Sequence, residues 1–298
     1  MPMLQTSIPL PAGHVIDGYR FERQLSMGGF SIVYLAADPQ GATVAIKEYL
    51  PRSLAQRSVG LVPQVRPERR VAYQSGMMAF YEEGIALARL DHPNVVRVIN
   101  FLRANDTVYL VMRYERGRTL HEHIRRHPGG LAENFVRGVF RRLLAGLCEV
   151  HTRRMLHLDI KPSNIWLRVD GSPVLIDFGA ARQSLQQSEQ ELRPVYTPGY
   201  AAPEQYDRPG DQGPWTDVYA VGASLYACLA AAAPQPADLR LAADKLVPAG
   251  VRWAGKYSPQ LLDVIDRCLR LDPLARPQSP FALQRGLAAP FSPQQEHS

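Results

Sequence analysis

From Tyr19 to Lys47, short runs rich in Val, Ile, Tyr and Ala are broken by Gly28-Gly29 and by Pro39-Gln40-Gly41. That rhythm predicts strands joined by turns. Val95–Phe101 and Val108–Met112 predict two further strands, with a helix over Met77–Leu90 before them. Between the two groups, Pro51–Ser75 is polar and Arg-rich and carries little order signal. After Tyr114 the period changes. Leu131–Thr152 sets Phe135, Val136, Val139, Phe140, Leu143, Leu144, Leu147 and Val150 on one helical face. Short strands follow at Ile165–Leu167 and Val174–Ile176, then helices over Val218–Ala232, Pro259–Leu271 and Phe281–Leu287. A strand-rich first third and a helix-rich remainder predict an α+β chain in two lobes, with a hinge near Arg113–Gly117. Residues 1–14, with Pro2, Pro9 and Pro11 and no period, read as a loose leader, and residues 289–298 as a frayed tail.

Composition narrows this reading. Of 298 residues, 46% are apolar and 21% charged, enough for a real core. The net charge of +6 comes from arginines spread along the chain. No basic run is interleaved with aromatics, so no nucleic-acid partner is expected. Cys148, Cys228 and Cys268 lie far apart, without metal-ligand spacing and without a closed disulfide set, which points to a reducing, cytoplasmic setting. No basic stretch followed by an apolar one marks a signal peptide. The most apolar segment, Val218–Ala233, is shorter than the roughly 20 residues a membrane span needs, and Pro234 follows it. It reads as a buried helix, and no membrane insertion is expected.

Two clusters carry chemistry. In Leu25-Ser26-Met27-Gly28-Gly29-Phe30-Ser31-Ile32-Val33, a glycine turn between strands can bring backbone N–H groups to phosphate oxygens, although paired glycines in a hairpin are more often a simple turn. Val44-Ala45-Ile46-Lys47 then ends an apolar strand on a lysine. Its ammonium needs partners, because a buried unpaired charge is costly. Two phosphates and a carboxylate would serve, and Glu83 on the predicted helix is a candidate, against the alternative of a solvated helix face. The second cluster is more specific. His157-Leu158-Asp159-Ile160-Lys161-Pro162-Ser163-Asn164 follows the long amphipathic helix, and Asp177-Phe178-Gly179 follows the strand Val174-Leu175-Ile176. By average composition the first pattern arises by chance about once in a thousand such chains.

With these motifs the chain resembles the eukaryotic-type (Hanks-type) serine/threonine protein kinases, and its Val44–Pro51 and Tyr196–Tyr206 segments look most like bacterial members. The resemblance spans about Tyr19 to Leu287. It implies a kinase domain over 15–288, with a β-rich N-lobe of about 15–113 and an α-helical C-lobe of about 114–288. It also implies ATP and Mg²⁺ as cofactors. In the family, Lys47 would hold the α- and β-phosphates and Glu83 would hold Lys47. Asn164 and Asp177 would bind Mg²⁺, Asp159 would orient or accept the substrate hydroxyl proton, and Lys161 would sit by the γ-phosphate. Leu25, Gly28, Gly29, Val33, Ala45, Met112 and Tyr114 would surround the nucleotide. Trp166, where the family usually has an aliphatic residue, would stack under adenine; the alternative is ordinary core. Thr197 and Lys161 fit Ser/Thr specificity. Ala202-Pro203-Glu204 would close the activation segment, with Glu204 paired to Arg276, and Asp217 would open the apolar helix.

Four features depart from the family pattern. Ser26 and Ser31 stand where glycines are usual. Leu158 replaces an arginine that often grips a phosphorylated loop, so activity is expected without phosphorylation of Ser184 or Ser188. Arg113 occupies a hinge place where an acid is common. Gln56–Ser75 is an insertion that reads more as a solvated loop than as a docking surface. Protein substrates with Ser/Thr acceptors are the implied partners, together with a possible separate regulatory protein. Two rivals stay open. One is a small-molecule phosphotransferase, against which Lys161, Thr197 and Glu204 argue. The other is a pseudokinase acting as an ATP-binding or scaffolding module, against which Lys47, Asp159 and Asp177 argue.

Overall fold

In the computed structural model, which describes residues 7–178, 196–207 and 209–288, the chain divides into two units. The first comprises residues 7–91 and 96–115, and the second residues 92–95, 116–178, 196–207 and 209–288.

In the first unit β1 (Val15–Ile16), β2 (Tyr19–Met27), β3 (Ser31–Ala37) and β4 (Thr43–Tyr49) run antiparallel in sequence order. The β3–β4 turn is an Asx turn: Asp38 Oδ1 accepts from the N–H groups of Gln40 (2.9 Å) and Ala42 (2.8 Å), and Gly41 takes φ +84°. A small hairpin, β5 (Ala55–Gln56) and β6 (Gln64–Val65), precedes α1 (Arg70–Ala88). Strands β7 (Val98–Ala104) and β8 (Thr107–Arg113) complete a sheet of order β1-β2-β3-β4-β8-β7. The helix thus begins at Arg70, ahead of the Met77 expected. Its exposed side also carries Val71, Met78 and Tyr81, which blurs the period a sequence reading relies on.

Register sorts the sheet into two faces. Val33 pairs Lys47, which pairs Leu110, and Leu35 pairs Ala45, which pairs Met112, so Val33, Ala45, Lys47 and Met112 share one face. Ile32, Tyr34, Ile46, Glu48, Tyr109 and Val111 share the other. That second face is covered, not solvated: Leu10, Ile16, Leu54 and Ala55 pack into its core, with Leu61 and Val65 against it. Two expectations change here. Residues 7–14 of the expected loose leader are held to the sheet: Ile8 N–H donates to Arg57 O (2.8 Å), and Leu10 N–H to the Tyr34 hydroxyl (3.1 Å). The Gln56–Ser75 insertion is not a solvated loop, since Arg57 is fully buried and its guanidinium pairs with the buried carboxylate of Glu48.

The second unit is helical around one small sheet. Strand β9 (Gly117–Thr119) leads into α2 (Leu120–Arg125), whose start is a capping box between Thr119 and Glu122. Helix α3 (Glu133–Thr152) buries Val136, Val139, Phe140, Leu143, Leu144, Leu147 and Val150, the face the sequence marks apart from half-buried Phe135. Strands β10 (Ile165–Arg168) and β11 (Pro173–Leu175) form a sheet of order β11-β10-β9. Residues 92–95 dock here, with Asn94 Nδ2 donating to Pro173 O (2.7 Å). The remaining α-helices among the described residues are α4 (Pro203–Asp207), α5 (Pro214–Ala230), α6 (Ala237–Ala242), α7 (Ala249–Arg252), α8 (Pro259–Cys268) and α9 (Pro280–Ala288). Helix α5 is buried along nearly its whole length and stops where Ala231 turns left-handed, ahead of Pro234. It crosses α8 so closely that a Cβ at Gly222 would collide with Cys268. Gly222→Ala is therefore expected to destabilise the protein by about 1–3 kcal/mol through overpacking, measured by chemical denaturation; an unchanged midpoint would show that the crossing yields freely. Among the described residues, no helix is long and apolar enough to cross a membrane.

Candidate active site

In the first unit the sequence-marked lysine is buried: Lys47, on β4, lies with its Nζ 5.3 Å from the centre of the Phe80 ring on α1. Glu83, three residues on from Phe80, falls on the same side of α1 and is also buried, unlike a solvated helix residue. The glycine turn closes with Gly28 N–H donating to Ser31 O (2.9 Å). Gly29 has neither a left-handed φ nor any atom within 4 Å of where a Cβ would sit. The fold itself therefore leaves room for a side chain at that position. Leu25 is half-buried between exposed Gln24 and Ser26, and Tyr114 follows β8.

In the second unit the catalytic-loop motif folds around one carboxylate. Lys161 Nζ donates to Asp159 Oδ1 (3.0 Å) and to Thr197 Oγ1 (2.7 Å), and Thr197 Oγ1 donates to Asp159 Oδ1 (3.0 Å). Asn164 Nδ2 donates to Asp159 Oδ2 (2.8 Å) and to the Asp159 carbonyl (2.9 Å). The same Nδ2 lies 3.4 Å from Asp177 O, and Ile176 N–H donates to Asn164 O (3.0 Å), so Asn164 and Asp177 are neighbours. Asp177 sits at φ +64°, in the left-handed region that aspartate enters more readily than most residues other than glycine.

Two buried groups hold this loop from behind. Asp217, at the start of α5, accepts from His157 N–H (2.8 Å), Leu158 N–H (2.8 Å) and His151 Nε2 (2.8 Å). Burial opposes its charge, but these donors win, and its carboxyl stays below the ordinary carboxylate range. His157 packs against Phe178 with the rings tilted by 40° and their centres 4.3 Å apart. Its Nε2 donates to Ile176 O (3.1 Å), and burial lowers its pKa, which leaves Nδ1 as an acceptor for Asp159 N–H (3.3 Å). Further along, Arg276 holds Glu204 through both carboxylate oxygens (2.7 and 3.0 Å) and lies over Tyr219, as the motif implies. The sequence reading missed three participants. His151 binds Asp217, Thr216 donates to Glu204 (2.8 Å), and Gln205 bonds the backbone at Ala202 and Leu158. Ser184 and Ser188, and the glycine of Asp177-Phe178-Gly179, lie outside the described residues.

Asn164 and Asp177 fit Mg²⁺, a hard cation that prefers a few protein oxygens completed by phosphate and water. With the Asn164 amide nitrogen given to Asp159, its oxygen is the atom that would face the metal. Trp166 lies on the opposite side of β10 from buried Ile165 and Leu167 and is half-buried, so it is not part of the helical core. Its indole nitrogen lies next to Gly117, where a Cβ would come within 2.8 Å of it.

A carboxylate braced by a lysine, a threonine and an asparagine, next to an aspartate suited to Mg²⁺, is the catalytic-loop arrangement of protein kinases. The family model for the protein kinase domain matches residues 19–288. The chain belongs to that family. Serine/threonine-protein kinase PLK4 of Drosophila virilis is 29% identical over 282 residues, 94% of this chain and 33% of that protein. CBL-interacting protein kinase 25 of Oryza sativa subsp. japonica is 30% identical over 271 residues, 88% of this chain and 49% of that protein. This chain thus spans a third to a half of the length of these curated relatives. Among solved structures, the PpkA-294 apo form is 36% identical, covers 94% of this chain and 99% of its own, and superposes with a TM-score of 0.86.

Proposed function

We propose that this protein transfers the γ-phosphate of ATP to serine and threonine hydroxyls of protein substrates. The observation that carries the reading is the bonding of Lys161 and Thr197 to the carboxylate of Asp159. A hydroxyl already donates to Asp159 there, so the carboxylate is placed to orient a substrate hydroxyl. Lys161 supplies positive charge where charge gathers on the transferred phosphoryl group. Asn164 and Asp177 would hold Mg²⁺, which when bound neutralises the phosphates. Lys47 would hold the α- and β-phosphates and Glu83 would hold Lys47. Val33, Ala45 and Met112, which share the lysine's sheet face, would line the adenine site with Leu25, Gly28, Gly29 and Tyr114. All the residues whose loss marks a pseudokinase are present: Lys47, Asp159 and Asp177. We take residues 15–288 as the kinase domain, with a cytoplasmic setting and a separate regulatory protein as further parts of the proposal. The name of the CBL-interacting relatives supports the last of these.

The test is incubation of the whole chain with labelled ATP, Mg²⁺ and a basic protein, followed by phosphoamino-acid analysis. Label on Ser and Thr that disappears when Mg²⁺ is chelated supports the proposal; label on Tyr alone, or none at all, overturns it. Within the same reading Trp166 stacks on the base. Trp166→Leu should weaken ATP binding about two- to tenfold, the worth of an aromatic contact beyond its area. Equal affinities by calorimetry would remove Trp166 from the site.

A further inference from the structure

We propose that Gln205 is a positioning residue for Asp159, setting the peptide plane that carries the catalytic carboxylate. The inference rests on the reading of Asp159 given above. Gln205 is almost completely buried at the start of α4, where its two amide atoms do different work. Its Oε1 accepts from Ala202 N–H (2.9 Å), satisfying an orphan donor at the helix start. Its Nε2 donates to the carbonyl of Leu158 (3.0 Å). That carbonyl belongs to the peptide unit joining Leu158 to Asp159. The N–H of the same unit donates to His157 Nδ1 (3.3 Å). The unit is therefore held at both ends, by Gln205 on one side and His157 on the other.

This peptide needs holding. Leu158 sits at φ +63°, in a left-handed region that a leucine enters only under constraint. Asp217 fixes the preceding peptide by accepting the Leu158 N–H (2.8 Å). Gln205 is the side chain that fixes the following one through its carbonyl. Residue 158 itself is a hydrocarbon and cannot form a charge-assisted bond to any neighbouring segment. The neutral amide of Gln205 takes up the positioning of the loop instead, tying the segment after Thr197 to the backbone beneath Asp159. Proton transfer depends steeply on such placement, and a displacement of about 1 Å can cost about 10²-fold in rate.

Gln205→Glu keeps the length and the acceptor for Ala202 but sets a second acceptor against the Leu158 carbonyl. Gln205→Met removes both bonds while keeping the volume. In the full chain, with ATP, Mg²⁺ and a basic protein substrate, each variant is expected to lose about 10- to 100-fold in kcat with KM for ATP within about twofold of wild type. Rates are taken per molecule that binds Mg–ATP, counted by calorimetry, so partial unfolding does not pass for a catalytic defect. In an Asp159→Asn background the Gln205→Glu loss should vanish, because a residue acting through Asp159 has nothing left to position. Losses that multiply instead would show a merely structural role and overturn the inference. So would kcat within twofold of wild type in either variant beside a slow Asp159→Asn enzyme. An Asp159→Asn enzyme as fast as wild type would overturn the catalytic reading itself, and this inference with it.

Discussion

Asp159→Asn is expected to lower the rate of phosphate transfer about 10²–10⁴-fold, the range for loss of a positioned acid–base group. The substitution keeps size and shape, so the cost is electronic. In the wild type both carboxylate oxygens accept from donors: Thr197 reaches Oδ1, Asn164 reaches Oδ2, and Lys161 lies within 3.0 Å of each. An amide has one acceptor oxygen and a nitrogen that only donates. Whichever way it turns, its NH₂ faces Lys161 together with either the Asn164 amide or the Thr197 hydroxyl. The negative charge that partners Lys161 is gone as well, and so is the group that would orient the incoming hydroxyl. ATP affinity should change little, because in the proposed reading Lys47, Asn164 and Asp177 would hold the phosphates and the metal. The measurement is single-turnover transfer beside calorimetric binding of Mg–ATP. Equal rates in wild type and variant would mean that Asp159 is not the group that handles the hydroxyl.

Much of that site is legible in the amino-acid sequence, and for a physical reason. Asp159, Lys161 and Asn164 lie within six consecutive residues, so their contacts are local and their spacing is visible in the chain. Strands β3, β4 and β8 are legible from runs of strand-favouring residues, and α3 from its period. What stays hidden depends on tertiary partners. Gln205 is an ordinary polar residue until its amide meets the Leu158 carbonyl, 47 positions earlier. Elements of two or three residues, such as β1, β5, β6 and β9, are too short for any period to show. The Arg-rich stretch reads as solvated only if polarity is equated with solvent, whereas the buried Arg57 meets an equally buried acid from β4. The start of α1 is obscured because apolar side chains lie on its exposed side as well as its buried one.

The same buried pair supports the second large effect, this one on stability. Arg57→Ala should cost about 3–5 kcal/mol, the loss typical when one member of a buried ion pair is removed. Both side chains are wholly buried. Arg57 also donates through Nε to Leu61 O (2.9 Å) and through Nη1 to Ile8 O (3.1 Å) and the Tyr34 hydroxyl (3.4 Å), so, with the Glu48 carboxylate, its loss frees four acceptors. Glu48 would keep only the hydroxyls of Tyr34 (2.7 Å) and Tyr109 (3.1 Å), too few to offset a buried charge. Replacing both partners, Arg57→Met with Glu48→Leu, should cost much less than Arg57→Ala alone, because no unpaired charge is then left inside. Tryptophan fluorescence is the wrong probe, since Trp166, Trp215 and Trp253 all lie in the other unit. Hydrogen exchange at the amides of β3, β4 and β8 reads the loss where it occurs. If the double variant proved no more stable than Arg57→Ala, the stabilisation would come from the hydrogen bonds of the Arg57 guanidinium to Leu61, Ile8 and Tyr34 and not from the pairing of charges.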